Sequence, residues 1–182
     1  MNELGRKGVH ILFGIGIAAM IQVPGKDLAL PALLISLLAG LLLSDAIARG
    51  HPVPLISRLV DDLERPGVLP GKGAILFVFS STFCLFFFSV RVVVPAVLTL
   101  AVLDGASALV GRYAGKHRIW NGKSLEGTSG GIAAAAAVLL VLLTPLPALA
   151  AAVAAGILEL ASPIDDNLVI PLAVCLVLTL LP

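Results

Sequence analysis

Long apolar runs, separated by short polar connections, dominate this sequence of 182 residues. A helix crosses the hydrocarbon core of a membrane with about 20 apolar residues, or with fewer where its ends are polar. The runs therefore predict an all-α bundle of about seven transmembrane helices, formed by a single domain over residues 1–182. The predicted spans are 8–24, 28–48, 73–90, 92–111, 129–144, 147–161 and 168–181.

The fifth and sixth predicted spans are short and rich in alanine, and Pro145 and Pro147 leave room for only a tight turn between them. These two segments form either a full hairpin or a shallow re-entrant one. In both cases the chain returns to the side of the membrane that it left.

The second connection carries a different pattern, with apolar residues at helical spacing opposite charged ones. Its apolar positions are Ile56, Leu59, Val60 and Leu63, within residues 53–65. A short helix with one apolar and one charged face is typical of a segment that lies in the membrane interface.

Composition excludes two other classes of protein. Hydrophobic residues make up 59% of the chain and charged residues 13%, so there are too few polar side chains to cover a water-soluble globule. Disordered chains are polar and are excluded by the same numbers. A net charge of +1 gives no reason to expect a nucleic-acid partner.

The two cysteines, Cys84 and Cys175, lie inside apolar runs and lack the spacing of metal ligands. We therefore expect them to be small buried apolar side chains.

The charged residues are distributed unequally between the two predicted faces. Ten of the twelve Lys and Arg residues fall on the side of the N-terminus, and only Lys26 and Arg91 fall on the other. The positive-inside rule therefore predicts a cytoplasmic N-terminus. Ten of the eleven acidic residues, all except Asp27, follow the same partition. Because orientation alone does not require acids there, the pattern predicts a polar site at the cytoplasmic boundary.

One group of candidate residues lies at the start of the first predicted span, and a further candidate lies within the fourth. Glu3, Lys7 and His10 share one helical face, with Arg6 beside them; they form either part of a site or a basic collar for lipid headgroups. Asp104 interrupts an otherwise apolar helix. An intramembrane acid faces a partner, a metal or a water-filled cavity, so we expect a functional role, with a structural ion pair as the alternative.

The connection before the fifth span alternates glycines with cations and leads into a helix N-terminus. This arrangement suits a polyphosphate, although a flexible basic loop is the alternative and no P-loop motif is present. The residues expected to bind nucleotide or phosphate, together with those near the N-terminus, are Arg6, Lys7, Gly111, Arg112, Gly115, Lys123, Ser124, Gly127 and Thr128.

An acidic cluster precedes the last span. Asp165 and Asp166 are adjacent, with Glu159 and Asn167 near them. One acid suffices as a helix N-cap, which is the structural alternative. Adjacent acids repel each other, and a bound Mg²⁺ would relieve the repulsion, so the cluster is a candidate magnesium site.

These motifs resemble, in order and spacing, those of the dolichol kinase, phytol kinase and CTP-dependent diacylglycerol kinase family, which is itself similar to CDP-diacylglycerol synthases. The resemblance covers nearly the whole chain. It is carried by Glu3-x-x-Arg6-Lys7-x-x-His10, Asp104-Gly105 through Gly111 and Gly115, Lys123-Ser124-Leu125-Glu126-Gly127-Thr128, and Asp165-Asp166-Asn167-Leu168.

The resemblance implies transfer of a phosphoryl group from CTP to a membrane-embedded isoprenoid or other lipid alcohol, with Mg²⁺ or Mn²⁺. The expected partners are CTP, the lipid alcohol and the bilayer, and a homodimeric state stays open. The expected catalytic residues are Asp104, His10, Lys123 and Glu126; the expected metal ligands are Asp104, Glu126, Asp165 and Asp166; Glu3, Glu159 and Asn167 are further polar residues of the site. His10 or one of the acids would be the general base.

Two other functions use the same features. A cytidylyltransferase acting on a lipid phosphate would share the nucleotide, the metal and the membrane. A small cation-coupled transporter would use Asp104 and the acidic cluster as cation ligands, but transporters tend to have repeated halves and sites near the midplane, and neither is evident here.

Overall fold

The computed structural model describes residues 3–63, 67–119 and 122–181 of the chain, and these residues form an all-helical bundle. Each predicted apolar run forms a helix, and the amphipathic segment in the second connection forms another. The helices are α1 (Glu3–Gln22), α2 (Lys26–Ala48), α3 (Pro54–Leu63), α4 (Lys72–Phe87), α5 (Val90–Tyr113), α6 (Leu125–Leu142), α7 (Pro145–Ala161) and α8 (Asp166–Leu180).

Four of the described helices are long and apolar enough to cross a membrane: α1, α2, α5 and α6. Helices α4, α7 and α8 are also apolar but shorter, at 16, 17 and 15 residues. The outer side of α2 exposes large apolar residues such as Ile35 and Leu42, at 68% and 63%. Such a surface suits lipid rather than water, so the fold is that of an integral membrane protein.

Helix α5 lies at the centre of the bundle and contacts α1, α4, α6, α7 and α8. Its side chains Val93, Val97, Leu100 and Leu103 are fully buried. In lipid, helices associate mainly through close packing, which small residues permit. The alanine-rich helices α6 and α7 pack in this way, because their buried faces consist largely of alanine and glycine.

The contact between α5 and α6 leaves no room for one extra carbon atom at Gly131. A Cβ there would lie 2.9 Å from the Cβ of Ser107 and 3.0 Å from the carbonyl oxygen of Leu103. We therefore expect Gly131→Ala to lower the free energy of unfolding by about 1–3 kcal/mol, the usual cost of overpacking.

Thermal unfolding in detergent, followed by circular dichroism, measures this effect. Gly16→Ala on α1 is the matched control, because a Cβ at Gly16 would meet nothing within 4 Å. Alanine favours helix more than glycine does, so this control should be neutral or slightly stabilising. Equal melting temperatures for the two variants would contradict the close α5–α6 contact.

Candidate functional site

An open cleft of about 1070 Å³ lies at one end of the bundle. It is lined by the N-terminal parts of α1, α4, α6 and α8 and by the C-terminal parts of α5 and α7. The N-terminus of a helix carries a partial positive charge and unpaired N–H groups, which favour anions. Four helix N-termini therefore contribute positive potential to one cavity.

The lining also carries more cationic than acidic side chains. The cations are Arg6, Lys7, Lys72, Arg112, Arg118 and Lys123, and the carboxylates are Asp104, Glu159, Asp165 and Asp166. Arg112 has no ion-pair partner among the described residues. The excess of positive charge suits an anionic ligand.

Asp104 forms the centre of the first polar group in the cleft. Its Oδ1 accepts a hydrogen bond of 2.5 Å from Lys7 Nζ, and its Oδ2 lies 3.6 Å from His10 Nε2. Lys7 is only 8% exposed, and the His10 ring stacks on Phe77 at 5.0 Å between centroids. The ion pair considered as the alternative for Asp104 is present, and it lines the cleft.

Glu159 forms the centre of the second group and is only 4% exposed. Ser107 Oγ donates to one of its carboxylate oxygens at 2.9 Å, and Thr128 Oγ1 donates to the other at 3.4 Å. Lys123 Nζ lies 3.1 Å from Glu159 Oε1 and also donates to the backbone carbonyl of that residue. These bonds join α5, α6, α7 and the loop before α6.

Lys123 also connects the glycine-rich loop with the acidic cluster. Its Nζ donates to Asp166 Oδ2 at 2.9 Å, so the two segments lie at the same end of the bundle. Burial by itself lowers the pKa of Lys123, but the hydrogen bond to Asp166 and the charge of Glu159 outweigh burial and raise that pKa above its ordinary value. Lys123 is therefore charged at neutral pH.

Asp165 serves as the N-cap of α8. Its Oδ1 accepts from the backbone N–H of Asn167 at 3.2 Å and from the Asn167 side-chain amide at 2.9 Å. Its Oδ2 lies 3.1 Å from Lys72 Nζ. The N-cap alternative is thus realised for Asp165, while the neighbouring Asp166 turns to a different lysine.

The carboxylates do not form a preassembled metal site. Within 3–63, 67–119 and 122–181, no three His, Cys, Asp or Glu side chains are grouped so that they could hold a metal ion. Asp104 and Asp166 nevertheless offer the cleft hard oxygen ligands of the kind that Mg²⁺ prefers. Asp165 also lines the cleft, and all three carboxylates pair with a lysine: Asp104 with Lys7, Asp165 with Lys72 and Asp166 with Lys123.

Glu126 lies outside the cleft and holds the loop before α6 in place. Its carboxylate accepts from the backbone N–H groups of Lys116 and His117, at 3.1 and 3.2 Å, and one oxygen lies 2.6 Å from His117 Nδ1. In this position its carboxylate orders the loop backbone. Its role as a catalytic residue or metal ligand stays a prediction.

The glycines of the same region allow α5, α6 and the loop to approach closely. A Cβ at Gly127 would lie 2.8 Å from the carbonyl oxygen of Ser107, and one at Gly115 would lie 2.2 Å from that of Gly111. Ser124 caps α6 by accepting from Gly127 N at 3.1 Å. Gly115 does not line the cleft, and the structure places it close to Gly111 and Ser124.

Most of the predicted site residues line the cleft together. These are Arg6, Lys7, His10, Asp104, Gly111, Arg112, Lys123, Ser124, Gly127, Thr128, Glu159, Asp165, Asp166 and Asn167. The predicted residues outside it are Gly115 and Glu126, and the side chain of Glu3 lies outside the described part of the chain.

Sequence reasoning missed four polar residues of the cleft: Lys72, Ser107, Arg118 and Ser162. Ser107 follows Asp104 by three positions and so shares its helical face, which was a usable signal. Lys72 enters the sequence prediction only as one of the cations on the side of the N-terminus, and Arg118 also as one of the cations in the glycine-rich connection.

Comparison with known proteins gives one distant similarity. An uncharacterized protein of Methanocaldococcus jannaschii is 29% identical over 183 residues, which cover 98% of this chain and 93% of that protein. No family model and no solved structure matches the chain. The relative is uncharacterized, so it assigns no activity to the residues of the cleft.

Proposed function

We propose that this protein transfers the γ-phosphoryl group of CTP to the hydroxyl of a membrane-embedded isoprenoid or other lipid alcohol. The product is the monophosphate of that lipid. The observation that supports this function is the cleft itself. An excess of cations, two carboxylates suited to Mg²⁺ and four helix N-termini meet at one end of an apolar bundle. A nucleotide could enter the cleft from water, and the lipid hydroxyl could reach it while the hydrocarbon chain stays in the membrane.

In this proposal the cations bind the phosphates of the nucleotide. Arg112, Arg6 and Lys123 supply fixed positive charge, and the partial positive charge at the N-terminus of α6 adds to it. Asp104 and Asp166 would hold Mg²⁺, which neutralises phosphate charge when it is bound. In phosphoryl transfer the protein chiefly positions the reactants and neutralises charge, so these groups would account for most of the rate enhancement.

His10 and Asp104 are the candidate bases for the acceptor hydroxyl. They lie within 3.6 Å of each other and both line the cleft. A base must reach hydrogen-bonding distance of the hydroxyl that it deprotonates. One of the two side chains would receive the proton, and the other would orient the side chain that receives it.

The proposed orientation has the cleft on the cytoplasmic side and all seven apolar helices crossing the membrane. The positive-inside rule supports this orientation, since the cleft end carries most of the Lys and Arg residues. Helices α4, α7 and α8 are short for a span, but each ends or begins at the polar cleft, where a shorter apolar length suffices.

The test supplies purified protein with Mg²⁺ and, in parallel assays, a polyprenol or a lipid phosphate, together with CTP labelled at either the γ- or the α-phosphorus. We expect γ-label in the extracted lipid and no α-label, and we expect transfer to stop when Mg²⁺ is chelated. If α-label instead enters a supplied lipid phosphate and pyrophosphate is released, the protein is a cytidylyltransferase. Absence of both labels from the lipid would contradict both activities.

A further inference from the structure

The two sides of the cleft differ in character. The polar groups come from α5–α8, the loop before α6 and the first turns of α1 and α4, whereas the next turn of α1, α3 and the connection after α3 contribute a wall of large apolar side chains. The members of this apolar wall are Val9, Phe13, Ile56, Leu59, Val60 and Val68. Among them no side chain can form a hydrogen bond, so the wall is suited to hydrocarbon.

Helix α3 covers the cleft without being buried in the bundle. It packs chiefly against α1, and its apolar residues Ile56, Leu59 and Val60 line the cavity. Leu59 of α3 is 49% exposed and Val9 of α1 is 48% exposed. Apolar side chains that stay half-exposed inside a cavity gain free energy when a hydrocarbon chain covers them.

Helix α1 changes from polar to apolar along the face that lines the cleft. Arg6, His10 and Phe13 follow one another on this face at helical spacing. Phe77 joins the last two, because His10 stacks on it and Phe13 meets it edge-on at 6.0 Å between centroids. The next residue on this face, Ile17, is buried in the core, whereas Phe13 is exposed, so the accessible part of the face runs from the polar end as far as Phe13.

We propose that the hydrocarbon chain of the acceptor, next to its hydroxyl, lies between α1 and α3 against this apolar wall. The hydroxyl then falls beside His10 and Asp104, and the chain continues along Phe13 towards the lipid. Helix α3 acts as a strap that covers the bound chain at the membrane interface. This inference rests on the proposed function, because it takes the lipid alcohol as the occupant.

A photoreactive acceptor tests the location directly. Geranylgeraniol carrying a diazirine in the isoprene unit nearest the hydroxyl is added to the full-length protein in lipid nanodiscs, irradiated, and the labelled residues are mapped by mass spectrometry. We expect labels on α1 near Val9 and Phe13 and on α3 between Ile56 and Val60. Labels confined to the outer faces of α2 and α4, or no labels, would overturn the proposal.

A pair of matched variants tests the contribution of α3. Leu59→Ser removes an apolar group from the wall, and Leu69→Ser removes one of similar exposure, 52%, that does not line the cleft. Loss of a few methylene contacts weakens binding by about tenfold. We expect Leu59→Ser to lower the labelling yield by about this factor, and to raise the acceptor KM without changing the KM for CTP.

The control variant Leu69→Ser should leave both quantities unchanged, and equal effects of the two substitutions would overturn the proposal. Labelling does not require turnover, so the outcomes separate. Labels on α1 and α3 without phosphorylation would reject the kinase activity and keep the lipid site. Phosphorylation with labels elsewhere would keep the kinase activity and reject this lipid site.

Discussion

Asp104→Asn is expected to lower phosphoryl transfer by about 10²–10⁴-fold, the range associated with loss of a general base. The substitution keeps the shape of the side chain but removes its charge. Both roles proposed for Asp104, as a Mg²⁺ ligand and as a partner of His10 in deprotonating the hydroxyl, require the carboxylate. Turnover is measured with γ-labelled CTP and a polyprenol at saturating Mg²⁺.

The control for this variant is Asp45→Asn on α2. Asp45 also pairs with a cation, Arg49, at 2.8 Å, but it is exposed and outside the cleft, so activity should stay near that of the wild type. Because Asp104→Asn leaves Lys7 buried without its carboxylate, the double variant Lys7→Met/Asp104→Asn is made as well. If a double variant that folds normally kept most of its activity, Asp104 would not belong to the catalytic machinery.

Lys123→Ala is expected to have the second largest effect, a loss of about 10²–10³-fold in turnover, comparable to removal of one charge-stabilising donor. It also leaves Glu159, only 4% exposed, without its cation. Breaking a buried pair in this way costs about 3–5 kcal/mol of stability. Reduced activity alone would therefore not separate a chemical role from a folding defect.

The double variant Lys123→Ala/Glu159→Gln makes that separation. The glutamine can still bond to Ser107 and Thr128, which now hold a neutral group, so the melting temperature should recover while activity should not. Recovery of both would show that Lys123 acts only by neutralising Glu159. Because its pKa is raised, Lys123 keeps its full stabilising contribution through neutral pH and loses it as the pH rises from the ordinary lysine pKa through the raised one.

The positions of the helices were predictable because they depend on local pattern. Each uninterrupted apolar run became a helix, and the apolar spacing through Ile56 and Leu59 predicted α3. The prediction that the acidic cluster and the glycine-rich loop share one end of the molecule is consistent with the contact of Lys123 with Asp166. It followed from counting charges along the chain, which requires only that the helices alternate in direction.

The partner of each polar side chain was not predictable in the same way, because it depends on how the helices are rotated and packed. Glu126 resembles a site residue by motif, yet its first-turn position directs it to the loop backbone. Glu159 was expected only as a further polar residue, yet it is buried among groups from three other segments. Asp165 and Asp166 are adjacent in sequence but face different lysines, a divergence that no spacing rule indicates.

The lysine pairing has a consequence for how the protein reaches its native state. Every described carboxylate that lines the cleft faces an ammonium group: Asp104 faces Lys7, Asp165 faces Lys72, and Glu159 and Asp166 share Lys123. The mutual repulsion of these acids is cancelled from within the chain. Folding of the bundle in the membrane therefore does not require a bound divalent ion or nucleotide, and either can bind after assembly.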